Sequence, residues 1–263
     1  MIFMLGDVHG DISHLPAVVG AGRPAAVIFL GDIEAPTNLD EFLGDLMTKT
    51  EVWWIPGNHD TDSKDNYRHL YESALADRNL HGRVVTIAGV RIAGLGGVFR
   101  RQIWYPPDDP SFLTFEDMVA SKFRHKKALT AAEMTRLKYR THSPEVAELM
   151  REGQLRKHRS SIFYGDWFDL CGRQVDILVT HEAPSCHPHG FREIDVLAQS
   201  MKVKHAFHGH HHDCLNYRAF DAVLGFQAHG VGFRGISDMH GRTVLPGRFD
   251  EARIHRHERD SRS

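Results

Sequence analysis

Three cysteines (Cys171, Cys186 and Cys214) in 263 residues are too few and too scattered for a disulfide framework or a CxxC zinc knot. That scarcity fits a reducing cytoplasm. Long apolar runs are missing too, and nothing approaches the roughly 20 residues that span a bilayer. MIFMLGDVHG, at the start, has no basic segment and only a short apolar stretch before Gly6, so no secretory leader is expected. Net charge is only −2, which removes a global field toward nucleic acid or a membrane surface. Internal repeats and low-complexity linkers are also lacking. These absences predict a cytoplasmic, soluble globular protein with no membrane partner; they leave the oligomeric state open.

Histidine is what the chain has in excess, with 20 copies, four of them in HGHHHDC at 208–214. Imidazole is the commonest protein metal ligand, so spacing becomes the question. Short apolar runs recur, and each ends in a loop of ligand-type residues. IFML (2–5) leads to GDVHG, AAVIFL (25–30) to GDIE, EVWWI (51–55) to PGNHD, VDILVT (175–180) to His181-Glu182, and HAF (205–207) to HGHHH. Four to six residues rich in Val, Ile, Phe and Trp, bounded by Gly or Pro, predict buried strands. Continuous apolarity without alternation predicts sheets covered on both faces, the α/β condition. RVVTIAGVRIAGL (83–95) predicts two strands about a turn at Ala88-Gly89, and 39–49 and 65–80 predict helices.

In α/β sheets, ligands collect at the carboxyl ends of strands. Those ends carry Asp7, His9, Asp32, Asn58, His59, Asp60, His181, His210 and His212. Any one of these has an ordinary explanation, such as a helix cap or a surface histidine. Five strand ends bearing such residues together do not. Carboxylate and imidazole donors without thiolates suit Mn, Fe or Zn. Two such cations can polarise a phosphoryl group and activate a water, and Asp32 is the natural carboxylate to lie between them.

GDVHG, GDIE, GNHD, the histidine of VTHE, and GHHH, in that order across residues 6–212, resemble the five motifs of the calcineurin-like metallophosphoesterases. The resemblance implies a two-layer β-sandwich flanked by helices and two divalent metal ions. It further implies Asp7, His9 and His212 on one ion, Asp32 bridging, and Asn58, His181 and His210 on the other. His59, paired with Asp60, resembles the family's general acid. The pattern Gly-His-x-His makes His211 a spacer, because residues two apart share a face in extended backbone. His208 then belongs to the strand.

Motif two is GDIEAP, without the GDxxDRG extension of the Ser/Thr phosphoprotein phosphatases, so that branch fits poorly. GVRIAGLGGVFRRQIWYPP (89–107) and DILVTHEAP resemble the lariat debranching enzyme region more weakly, with Asp7 where those enzymes carry cysteine. The expected function is hydrolysis of a phosphate ester, a phosphodiester of nucleotide or nucleic-acid type first. A phosphomonoester, or a non-catalytic binding scaffold on the same fold, is the alternative.

Residues 98–170 predict a helical insertion, with helices at 114–125, 130–140 and 144–157, inside a single domain of residues 1–250. Arg100 and Arg101 follow a Gly-rich strand end and are candidate phosphate contacts. Trp104 and Tyr105 could stack on a base, with core packing favoured. The cations Lys122, Arg124, Lys126, Lys127, Arg136, Lys138 and Arg140 are interleaved with acids, which favours a solvated helix face. His187, His189 and His229 stay undecided. A frayed polar tail is expected at 251–263.

Overall fold

The computed structural model describes residues 1–124 and 144–250, with the side chains of 122–124 and 144–150 left aside. The expected helix at 130–140, most of the basic stretch and the 251–263 tail lie outside those residues.

Ten described strands form two five-stranded mixed sheets. The first holds β1 (Ile2–Leu5), β2 (Ala26–Phe29), β3 (Glu51–Trp54), β9 (Ile236–Asp238) and β10 (Thr243–Leu245), in the order β10-β9-β1-β2-β3. The second holds β4 (Arg83–Ile87), β5 (Val90–Leu95), β6 (Ile177–Thr180), β7 (His205–His208) and β8 (Gln227–Gly230), in sequence order. β1, β2 and β3 run parallel, as do β5 to β8, and β4, β9 and β10 supply the antiparallel pairs.

Why the strands lack polar alternation is now visible. Ile2, Met4, Ile28, Trp53 and Ile55 face Ile92, Ile177, Val179 and Phe207 of the other sheet, making the interior of the sandwich. The neighbouring residues Phe3, Leu5, Phe29 and Trp54 point outward, yet they are buried under Leu15, Val19, Leu39 and Leu70. Those come from helices Leu15–Gly22, Leu39–Leu43 and Lys64–Tyr71. The second sheet is covered likewise, by Met118, Leu170, Ile194, Leu197 and Met201 from helices Phe115–Arg124, Tyr164–Leu170 and Arg192–Met201. Every residue of β1 and β2 is buried on whichever face it takes, so every position in them is apolar.

The helix expected at 65–80 stops at Tyr71 and resumes only as a 3₁₀ turn at Ala76–Arg78. The 39–49 pattern likewise breaks at Gly44 into a 3₁₀ turn. The described helices between β5 and β6 cover the outer face of the second sheet. The first residues of that crossover approach the strand ends, where Val98 donates its N–H to the Ser160 carbonyl and Gly97 packs on Ser160 backbone.

Candidate metal centre

Parallel β1, β2 and β3 and parallel β6 and β7 bring five loops to one end of the sandwich. Ligand atoms of Asp7, His9, Asp32 and His212 lie within 4.8 Å of one another, and so do those of Asp32, His181 and His210. Asp32 belongs to both groups. Close approach of the loops depends on two glycines. Gly31 (φ +103°) packs against Gly57, and a Cβ on Gly57 would clash with Asp32 Oδ1 and lie 2.7 Å from His181 Cε1.

The histidines are aimed by their second nitrogens. His181 Nδ1 donates to the Leu30 carbonyl at 2.7 Å, which turns Nε2 toward Asp32 (3.5 Å) and Asn58 Oδ1 (3.3 Å). His9 Nδ1 faces Glu34 Oε1 at 3.2 Å, so its Nε2 looks inward. There it meets His212 Nε2 at 3.1 Å, and His212 Nε2 lies 3.1 Å from Asp7 Oδ2. Asp7 Oδ2 is buried yet makes no hydrogen bond. Two imidazole lone pairs and an unsatisfied carboxylate oxygen converging on one point fit a cation between them.

Electrostatics agrees with that fit. Burial opposes charge on His181, but Asp32 and Asp7 outweigh it and raise its pKa to about 10. Burial also opposes charge on Asp32, and His181 overrides this, holding the carboxyl below its usual range. Burial and the neighbouring His181 charge push His210 down to about 3, leaving a neutral donor nitrogen. Paired carboxylates here demand positive charge, and His210 offers a lone pair rather than a proton.

Three expectations need correction. The first is the pairing of His59 with Asp60. Asp60 is fully buried and points away, accepting from the N–H groups of Ile33, Glu34 and Gly57 at 2.8–2.9 Å. It staples the GDIE loop to the GNHD loop; burial and the Asp32 charge push its pKa up to about 7. His59 Nδ1 instead meets Asp62 Oδ2 at 2.7 Å, with Glu34 Oε1 at 3.6 Å. A 3₁₀ turn at His59–Thr61 makes the i,i+3 contact possible, and that spacing was visible in HDTD. Burial opposes charge on His59, but Asp32, Asp62 and Glu34 together raise its pKa.

Second, the Gly-His-x-His alternation does not come from extended backbone. His210 (φ 68°) and His212 (φ 59°) are both left-handed, as are His9 and Asp32. His211 is turned back and stacks on His187 at 3.9 Å. His208 stays in β7, fully buried, with Nε2 at 3.1 Å from the Tyr217 hydroxyl.

Third, Arg100 and Arg101 are not equivalent. Arg100 lines a cavity of about 360 Å³ together with Asn58 and His210. Its Nη2 donates to Ser160 Oγ at 3.4 Å and its Nε has no hydrogen-bond partner. Arg101 is exposed, with its guanidinium over the Tyr105 ring at 4.9 Å. Trp104 is core, as favoured, whereas Tyr105 borders the cavity. His189 borders it too, while His229 sits in β8 against His205, away from the strand ends. Glu34, Glu182 and Phe191 were not singled out by the motif spacing.

The profile of the calcineurin-like phosphoesterase family matches residues 1–214. A Haemophilus influenzae protein, described as uncharacterized, is 39% identical over 245 residues, covering 93% of this chain and 96% of its own length. Among solved structures, TT1561 of Thermus thermophilus superposes with a TM-score of 0.46 at 14% identity, over 90% of this chain and 94% of that one. A 5'-nucleotidase from Candida albicans gives 0.41 at 14% identity, over 89% of this chain and 46% of that one.

Proposed function

We propose, for a chain that belongs to the calcineurin-like phosphoesterase family, hydrolysis of a phosphodiester of nucleotide or nucleic-acid type in the cytoplasm. Family membership makes the chain a metal-dependent phosphoesterase. In this proposal Asp7, His9 and His212 hold one ion and Asn58, His181 and His210 the other, with Asp32 shared. The carboxylate and imidazole donors select Mn, Fe or Zn. Such a pair, when bound, polarises the phosphoryl group and activates water.

The chain's own residues supply the rest. His59, half-exposed at the rim and held by Asp62 and Glu34, gives a proton to the leaving oxygen. Against the opposing effect of burial, Asp32, Asp62 and Glu34 raise its pKa, which favours the protonated form that an acid requires. Arg100 places a fixed positive group beside Asn58 and His210, where a non-bridging phosphate oxygen would sit.

The observation that carries a dinuclear reading is Asp32, common to both ligand groups. Room beyond the phosphate favours a diester: the Arg100 cavity can take a second substituent, which a monoester lacks. With Mn supplied, bis-p-nitrophenyl phosphate should turn over faster than p-nitrophenyl phosphate, and elemental analysis should find two ions per chain. Asp32→Asn should lose both ions, since one ligand serves two. Monoester turnover more than tenfold faster would make it a phosphomonoesterase. Neither metal nor turnover would make it a scaffold.

A further inference from the structure

Two segments outside the metal motifs, GVFRRQIWY (97–105) and EAPSCHPHGF (182–191), converge on the cavity beside Asn58 and His210. Tyr105 and Phe191 meet there at 5.4 Å between ring centres and 86° between planes, so they form a right-angled aromatic corner. The Phe191 side of the corner is anchored twice. Phe191 packs on Phe99 at 4.6 Å, and Phe191 donates its backbone N–H to the Ala183 carbonyl at 2.9 Å. Glu182 and His189 complete the wall, with Glu182 Oε1 accepting from the Phe99 N–H at 3.0 Å.

Each part of the wall restricts the occupant. An aromatic corner offers one face for stacking and one edge for a perpendicular contact, which suits a flat ring better than a sugar or an alkyl chain. The Glu182 carboxyl group in the wall offers an oxygen to an N–H donor. Arg100 lines the same cavity as the corner, Asn58 and His210, so a phosphate held by it would leave its substituent in the cavity. At about 360 Å³ the space takes one mononucleotide-sized group.

Resting on the diesterase reading above, we infer that this cavity is a nucleobase pocket, with Tyr105 and Phe191 as specificity-determining residues and Glu182 facing the N–H edge of the base. The occupant is the nucleoside that stays on the phosphate, while the leaving group departs on the His59 side.

A phosphate-free ligand separates this inference from the reaction. Saturation-transfer NMR on the full chain supplied with diamagnetic Zn should show contact with the base protons of adenosine and cytidine, and none with ribose. Tyr105→Phe keeps the ring and should keep the signal. Tyr105→Leu fills the space without a ring and should reduce it at least fivefold. The companion measurement is inhibition of bis-p-nitrophenyl phosphate turnover, where adenosine monophosphate should compete about tenfold more strongly than ribose 5-phosphate. Wild-type protein that shows no base contact, or a Tyr105→Leu signal equal to wild type, overturns the pocket. Nucleoside binding without any phosphoesterase turnover would instead overturn the diesterase reading and leave the pocket standing.

Discussion

Asp62 lies three residues after His59; their 2.7 Å contact orients the proposed general acid and, with Asp32 and Glu34, raises its pKa against burial. His59→Ala should keep both ions and lose rate by roughly 10²–10⁴-fold, the range for general acid catalysis. The loss should shrink for p-nitrophenolate, which leaves without a proton; equal losses for alkoxide and phenolate would mean that His59 only positions substrate. Asp60 makes a contrasting case. It holds three backbone N–H groups, so Asp60→Asn should lower the melting temperature and leave the leaving-group dependence unchanged. For the two arginines, Arg100→Ala should weaken diester binding by roughly 10- to 150-fold, the equivalent of about 1.5–3 kcal/mol for a charge-assisted hydrogen bond. Arg101→Ala, which removes an exposed cation from Tyr105, should stay within about twofold. Equal effects of the two substitutions on kcat/KM would refute the distinction.

Among elements, the loops after the strands carry the strain. His9, Asp32, His210 and His212 all have φ between 43° and 68°, a region where a Cβ costs roughly 1–2 kcal/mol. Turning sharply at the strand ends is what lets side chains from both sheets reach one centre, and in the proposed metal-bound form ligation would offset that cost. His212→Ala and His212→Gly remove the same imidazole but differ in tolerance of left-handed backbone. In metal-free protein the Gly variant should therefore be the more stable by about 1 kcal/mol in urea unfolding. The opposite order would show that position 212 relaxes to ordinary backbone once its side chain is gone.

For the whole molecule, the edge where β7 meets β8 sets an acid limit on stability. His229 stacks on Phe207 and faces His205 at 3.1 Å. Burial, with the neighbouring His205, lowers its pKa from 6.5 to about 4, and burial lowers His205 as well. Between about pH 4 and 6.5 His229 therefore binds more protons in the unfolded chain than in the folded one. Its contribution to stability is complete above that window and is lost as pH drops through it. Between pH 6.5 and 4 the melting temperature should decline less steeply for His229→Phe than for wild type. Parallel declines in variant and wild type would place the acid sensitivity elsewhere.

Strand positions and ligand types were legible in the sequence because both are local. A strand buried on two faces must be an apolar run, so β1, β2, β3, β6 and β7 announced themselves, and the turn at Ala88-Gly89 marked β4 and β5. The ligand residues followed those runs directly. Short β8, β9 and β10 did not stand out, since QAHG, ISD and TVL have little apolar pattern. β9 is a strand because Met4 pairs with Ser237 across almost the whole chain. Side-chain partnerships were equally hidden. The switch of His59 from Asp60 to Asp62 depends on a 3₁₀ turn, and Asp60 is drawn away by N–H groups of another loop. Arg100 and Arg101, alike as neighbours, were separated only when Val98 joined Ser160 and set which of them faces Asn58. Sequence determined which chemistry was present at each strand end, because residue type and local apolarity carry it. Tertiary structure alone decided which groups meet, because contacts between loops tens to hundreds of residues apart are set by how two sheets pack and not by any local pattern.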